Sequence, residues 1–226
     1  MLNGENETIA IIDSGIGGVA VLRELIAKFK VGNFIYFADN LFMPYGNKNK
    51  FWLTKRVKSI IKFLQEQYYV KHIIIACNTA STCINCKDFE RVTTMVFDKS
   101  RTYFATYLTK KNLKGFNVVA DRTLAKEIEK YIFDRKKLDI IIRSHIKTHK
   151  LHEYNEIVLG CTHYELVKDI FQKYCSNSKV INNSEFILNN FNIEQKTKEL
   201  NVIIMLSKKD KSFEEKIRKL IKSGLN

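Results

Sequence analysis

The sequence predicts an α/β protein built on mostly parallel sheet, and three observations carry that prediction. Apolar runs of strand length alternate with segments of helical periodicity, the pattern of a parallel sheet covered on both faces. Two of the runs end in a cysteine followed by polar residues that open a helix, at Ile73–Cys77 and Ile157–Cys161. The 226 residues, 45% hydrophobic and 12% aromatic, are long for one domain and sufficient for two small ones with a real core.

In chain order, Thr8–Ile12 is an apolar strand ending at Asp13. Gly17–Phe29 has helical periodicity, with Val21, Leu22, Leu25 and Ile26 on one face. Phe34–Phe37 is a second strand, followed by a loop through Pro44-Tyr45-Gly46 that contains the chain's single proline and is expected to turn rigidly. Phe51–Tyr69 reads as a long helix, Ile73–Ala76 as a third strand and Thr79–Glu90 as helical. A second set begins with a strand over Thr94–Phe97 and a helix over Thr102–Lys110. Asn117–Val119 is a weak strand, Leu124–Phe133 a helix, Ile157–Gly160 a strong strand and His163–Tyr174 helical. Val180–Ile181 and Asn201–Leu206 are strands, and Phe213–Ile221 is a final helix. No proline- or serine-rich linker separates the halves, so the boundaries are expected at tight crossovers. They divide the chain into 1–92 plus 183–226, and 93–182.

Composition narrows the class. Met1–Glu7 has neither a basic nor an apolar leader region, and no apolar run is long enough to span a bilayer. Five cysteines, an odd number, two of them directly after apolar strands, point to a reducing cytoplasm and thiol chemistry. Lys plus Arg outnumber Asp plus Glu by 38 to 24, a net charge of +14. The lysines are spread over nearly every helical stretch with no recognition motif, so nucleic acid is not an expected partner. The field of such a surface can still help collect a dicarboxylate.

The internal echo carries the chemistry. Ile73-Ile74-Ile75-Ala76-Cys77-Asn78-Thr79 and Ile157-Val158-Leu159-Gly160-Cys161-Thr162-His163 share one plan. Parallel α/β folds place ligands at the carboxyl ends of their strands, so two facing units would put one thiol on each side of a cleft. A free thiol of pKa about 8.5 is only a few per cent ionised at neutral pH, and a helix start is expected to lower that value. A base on one face of a carbon and an acid on the other is the minimum apparatus for inverting a stereocentre by proton transfer. Asp13 could orient or deprotonate a thiol across the crevice, and His163 could serve Cys161. Asn78, Thr79 and Thr162 are short hydrogen-bonding side chains suited to carboxylates, and the turn from Asp13-Ser14 through Gly18 lets backbone approach a ligand.

Taken together, Ile11-Ile12-Asp13-Ser14-Gly15-Ile16-Gly17-Gly18, Pro44-Tyr45-Gly46, Ala76-Cys77-Asn78-Thr79-Ala80 and Gly160-Cys161-Thr162-His163-Tyr164 resemble the glutamate racemase motifs, in the same order. Weaker similarity continues through Val180–Glu185 to the end of the chain. The resemblance implies two pseudosymmetric α/β lobes with the site in the cleft between them. It implies Cys77 and Cys161 as catalytic thiols assisted by Asp13, His163 and a second-lobe acid, best matched by Glu129 with Glu127 as the alternative. Ser14, Pro44, Tyr45, Gly46, Asn78, Thr79 and Thr162 would hold glutamate. No cofactor or metal is implied, and the usual product is D-glutamate for the peptidoglycan of the cell wall. A homodimer is the default for a small enzyme. The chain departs from the family by a shorter stretch between Ser81 and Glu129, and by Asp98–Thr102 where an Ala-Thr pair is expected. Those departures keep open a homologue with lost or altered turnover that binds an amino acid or regulates.

Other readings of the same residues are weaker. Gly15-Ile16-Gly17-Gly18-Val19-Ala20 fits a dinucleotide fingerprint, with Asp39 ending the next strand. Asp13 would then set a carboxylate beside the pyrophosphate, and the two cysteine-ended strands would go unexplained. Cys83 and Cys86 form a C-x-x-C without a second pair at zinc spacing and read as packing. His145, His149 and His152 lie in a basic stretch where Lys147 and Lys150 argue for a solvated face. Cys175 and Trp52 carry no functional signal.

Overall fold

The computed structural model describes residues 8–68, 70–189, 191–192 and 197–223. Met1–Glu7 and Tyr69, the expected end of the second helix, lie outside the described residues. The chain runs β1 (Thr8–Asp13), α1 (Val19–Phe29), β2 (Gly32–Ala38), α2 (Lys50–Tyr68), β3 (His72–Ile75), α3 (Asn78–Ser81) and β4 (Val92–Thr94). It continues through β5 (Thr102–Thr106), α4 (Tyr107–Asn112), β6 (Asn117–Asp121), α5 (Leu124–Tyr131) and α6 (Arg135–Thr148). Then come β7 (Glu156–Gly160), α7 (Thr162–Glu165), α8 (Lys168–Tyr174), β8 (Lys179–Asn182), α9 (Glu185–Leu188), β9 (Leu200–Leu206) and α10 (Lys211–Lys222).

Two sheets result, a five-stranded one in the order β4-β3-β1-β2-β9 and a four-stranded one in the order β6-β5-β7-β8. Among the described residues every strand pairing is parallel. β1 and β2 are buried along their whole length, which is why they read as nearly unbroken apolar runs rather than alternating ones. Register decides what emerges at the carboxyl ends. Asp13 pairs with Ala38, and Ile12 with Ile75 just before Cys77. In the other sheet Ala105 pairs with Gly160 just before Cys161, and Thr106 with Asp121.

The periodicity of α1 explains how the sheets meet. Its buried face, Val21, Leu22, Leu25 and Ile26, joins one apolar core with Leu124 and Ile128 of α5, Tyr164 of α7 and Ile217 of α10. Truncating fully buried Leu22 to alanine is therefore expected to cost about 2–5 kcal/mol. A second cluster fills the other face of the five-stranded sheet, where Leu53, Val57, Ile60, Ile61 and Leu64 of α2 cover Ala10, Ile12 and Ile75.

Several expected elements differ. The helix expected over Thr79–Glu90 stops after one turn at Ser81. Ser81 Oγ donates to the carbonyl of Ile75 at 2.9 Å and accepts the N–H of Met95 at 3.0 Å, which ties the chain down and diverts it. Thr102–Lys110 is a strand followed by a short helix. Thr106 makes the break by capping α4, its Oγ1 3.4 Å from the N–H of Thr109. The strand expected at Thr94–Phe97 is β4, two residues earlier, and it belongs to the five-stranded sheet. The basic stretch that carries His145 lies in a long helix, α6. Among the described residues no helix is long and apolar enough to cross a membrane.

Candidate active site

Both cysteine-ended strands deliver their thiols to one cavity of about 100 Å³, smaller than the roughly 300 Å³ at which clefts for drug-sized ligands begin. Ser14, Pro44, Tyr45, Gly46, Cys77, Asn78, Thr79, Cys161, Thr162 and His163 all line it. Asp13 and Glu129 do not. They stand behind Thr162 and His163 respectively, each joined to the wall by a hydrogen bond.

The two loops that build this cavity interlock because of glycine. Asp13 Oδ1 accepts the N–H of Gly15 at 2.8 Å, and Thr162 Oγ1 donates to Asp13 Oδ2 at 3.1 Å. A Cβ on Gly17 would lie 2.4 Å from Thr162 Oγ1 and 2.8 Å from the backbone nitrogen of His163. No side chain fits there, so the glycine-rich turn exists to let β1 and α7 meet. Tyr36 fastens the same turn, its hydroxyl donating to the carbonyl of Gly15 at 2.7 Å.

The surroundings of the two thiols differ. Cys161 Sγ lies 4.0 Å from His163 Nδ1, and His163 Nε2 lies 2.6 Å from Glu129 Oε2. Burial opposes charge on His163, but its bonds to Cys161 and Glu129 outweigh that and hold its pKa well above the ordinary imidazole value. Burial likewise acts upward on Glu129, and the opposing pull of His163 and Lys216 leaves its carboxyl below the usual range. Lys216 of α10 supplies that charge from 3.8 Å. Cys77 has no such partner. Burial pushes its thiol well above the ordinary value, and the nearby charges of Asp13 and Cys161 push the same way. The lowered pKa expected from a helix start is thus not found at Cys77. α3 is a single turn, too short for a substantial macrodipole, and desolvation of the thiolate dominates. Burial also raises the pKa of Asp13, against the attraction of His163 and its hydrogen bonds.

Polar groups close the remaining walls. Asn78 Oδ1 accepts from Asn183 Nδ2 at 2.6 Å, while Asn78 Nδ2 is buried without a partner. A buried donor in that state costs about 1–3 kcal/mol until something accepts from it. Tyr45 donates to Asp39 Oδ2 at 2.6 Å, and Arg56 makes two contacts to the same carboxylate at 2.7 and 2.9 Å. Asp39, which the dinucleotide reading would turn to a ribose, is thereby occupied in holding the Pro44-Tyr45-Gly46 loop.

Sequence reasoning missed part of the wall. Thr106 and Tyr107 line the cavity with Asp121, Arg122, Ala125 and Lys126. Thr79, Thr106 and Thr109 form a triangle of hydroxyls with sides of 3.0–3.1 Å. Thr106 ends β5 at this wall, in a stretch expected to be helical. Of the two acids weighed for the second lobe, Glu129 meets His163 while Glu127 Oε2 lies 2.8 Å from His145. Cys83 is buried in the α2 cluster and Cys86 sits in a short turn, consistent with packing.

The chain is 31% identical over 193 residues to the glutamate racemase of Halothermothrix orenii, spanning 73% of this chain and 75% of that one. It is 30% identical over 194 residues to glutamate racemase 2 of Bacillus subtilis, spanning 73% and 72%. Its fold is similar to that of Escherichia coli glutamate racemase, solved with L-glutamate and the activator UDP-MurNAc-ala. That likeness has a TM-score of 0.79 at 20% identity over 96% of this chain and 95% of the other. No family model matches the chain.

Proposed function

This chain belongs to the glutamate racemase family, and we propose that it interconverts L- and D-glutamate by moving the Cα proton between two thiols. The observation that carries the reading is the convergence of Cys77 and Cys161, from two different sheets, on one small cavity whose walls include hydroxyl and amide side chains. One thiolate removes the Cα proton from its face while the opposite thiol delivers a proton to the other, and the roles exchange for the reverse reaction. The imidazolium of His163, held by Glu129, stabilises thiolate on the Cys161 side. Asp13 acts through Thr162 and the turn at Gly15. Asn78 Nδ2 donates to a substrate carboxylate, with the hydroxyls of Ser14, Thr79 and Thr162 completing the grip and the loop of Pro44, Tyr45 and Gly46 closing the wall. Arg122 and Lys126 at the same cavity favour an anionic ligand. The reaction so written uses no cofactor.

We take each sheet with its helices as one lobe, since each contributes one thiol. The proposed division runs just after Thr94, because the expected boundary at 92 would split β4 from the first lobe's sheet, and near residue 182. We further propose a cytoplasmic homodimer that supplies D-glutamate for peptidoglycan. The test is incubation of reduced protein with pure L-glutamate and, separately, pure D-glutamate, with chiral chromatography of the products. Formation of the opposite enantiomer from each supports the reading. Saturable glutamate binding without conversion would replace it with the amino-acid-binding homologue.

A further inference from the structure

Beyond the thiols, β6 and α6 bring together three strong metal donors. Asp121 ends β6, and its Oδ1 accepts the N–H groups of Thr123 and Leu124 at 2.7 and 2.8 Å. Oδ2 is thereby aimed at α6, where His145 Nδ1 and His149 Nε2 each stand 2.8 Å from it. The two histidines are four residues apart, the spacing that sets two imidazoles on one helix face. All three donor atoms lie within 4.8 Å of one another. The expectation of a solvated histidine face was wrong for these two. Their side chains are only 17% and 23% exposed, and that of Asp121 is 7% exposed.

The surroundings hold the donors in place. His145 Nε2 lies 2.8 Å from Glu127 Oε2, so a carboxylate stands behind one ring nitrogen while the other faces the cluster. That arrangement fixes the tautomer and orientation of an imidazole ligand at many metal sites. The ring of His149 rests on Phe104, with centroids 5.4 Å apart.

We propose that Asp121, His145 and His149 bind a divalent transition-metal ion of the zinc class, with Glu127 as the supporting outer carboxylate. Two imidazoles and one carboxylate suit zinc, cobalt or nickel better than magnesium or calcium, which prefer all-oxygen sets. Bonds of about 2.0–2.2 Å in a tetrahedron place donors about 3.3 Å apart, so the contacts would open by about half an ångström. Three protein ligands leave a fourth position for water. Asp121 also lines the cavity between the thiols, so the ion would brace that wall. The inference does not depend on the racemase reading.

The test is a titration of cobalt(II) chloride into chelator-dialysed, reduced full-length protein, followed by visible absorption and then by displacement with zinc chloride. One equivalent per chain, displaced by zinc, is expected. Binding should be lost in His145→Asn and His149→Asn, weakened about 10–100-fold in Glu127→Gln, and unchanged in His152→Asn, whose side chain is exposed. Should a histidine variant fail to fold, proton NMR of the wild type decides. Cobalt should broaden the ring signals of His145 and His149 and spare His152. Absence of stoichiometric uptake, loss of uptake in Cys83→Ser or Cys86→Ser with retention in the histidine variants, or broadening centred on His152 or His163 would each overturn the site.

Discussion

The Cys77 and Cys161 corners share a backbone plan and differ in almost everything that decides their chemistry. Each thiol follows a buried strand and precedes a one-turn helix, and each is nearly inaccessible to solvent. Cys161 has an imidazole 4.0 Å away, backed in turn by a carboxylate and a lysine. Cys77 has burial and the negative charge of Asp13, both of which disfavour its thiolate. The repeated backbone thus delivers two sulfurs to one place, while unrepeated side chains give them different surroundings. In the proposed resting enzyme Cys77 is the acid.

Removing either sulfur should have the largest consequence. Cys77→Ala and Cys161→Ala are each expected to lower kcat/KM for both enantiomers on the order of 10²- to 10⁴-fold. A variant that loses less than tenfold would remove its thiol from the reaction. The comparison sharpens in an alkylation experiment at neutral pH. Iodoacetamide should modify Cys161 at least roughly tenfold faster than Cys77, read by peptide mass spectrometry, because the thiolate is the nucleophile. His163→Asn should narrow that difference, whereas a purely structural His163 would leave it unchanged.

Smaller effects test the walls. Asn78→Ala removes the unpartnered donor and should raise KM about tenfold, the worth of one hydrogen bond of roughly 1.4 kcal/mol, with a lesser change in kcat. The Tyr45 loop offers a stability test. Burial tends to raise the pKa of Asp39, but its bonds to Arg56 and Tyr45 prevail and lower it. A carboxyl depressed in the fold contributes stability above its unfolded value of about 3.9 and loses it as pH falls through the lower folded value. Asp39→Asn should therefore cost about 1–3 kcal/mol at neutral pH, measured by urea unfolding, with the gap to wild type closing below pH 4.

The cysteine corners were legible because unbroken apolar runs leave a parallel strand few alternatives, and the residues that follow them are forced to the carboxyl ends. Asp13, Ser14, Asn78, Thr79, Thr162 and His163 could be placed for the same reason. What escaped notice depended on side chains diverting the backbone. Ser81 halts a helix through bonds to Ile75 and Met95, which lie on strands or loops outside the helical stretch. Thr102–Thr106 carried a readable signal, two threonines and two aromatics in five residues. Taking it as helix concealed the hydroxyl triangle of Thr79, Thr106 and Thr109. The pairing of Asp121 with His145 and His149 joins the end of a strand to a helix more than twenty residues later, and no local pattern announces it.

The most direct measurement is proton NMR of L-glutamate and of D-glutamate in D₂O with the reduced wild-type protein. The Cα proton signal of each enantiomer should disappear as the opposite enantiomer, deuterated at Cα, accumulates. Persistence of both Cα signals in the presence of folded, reduced protein would contradict proton transfer between Cys77 and Cys161.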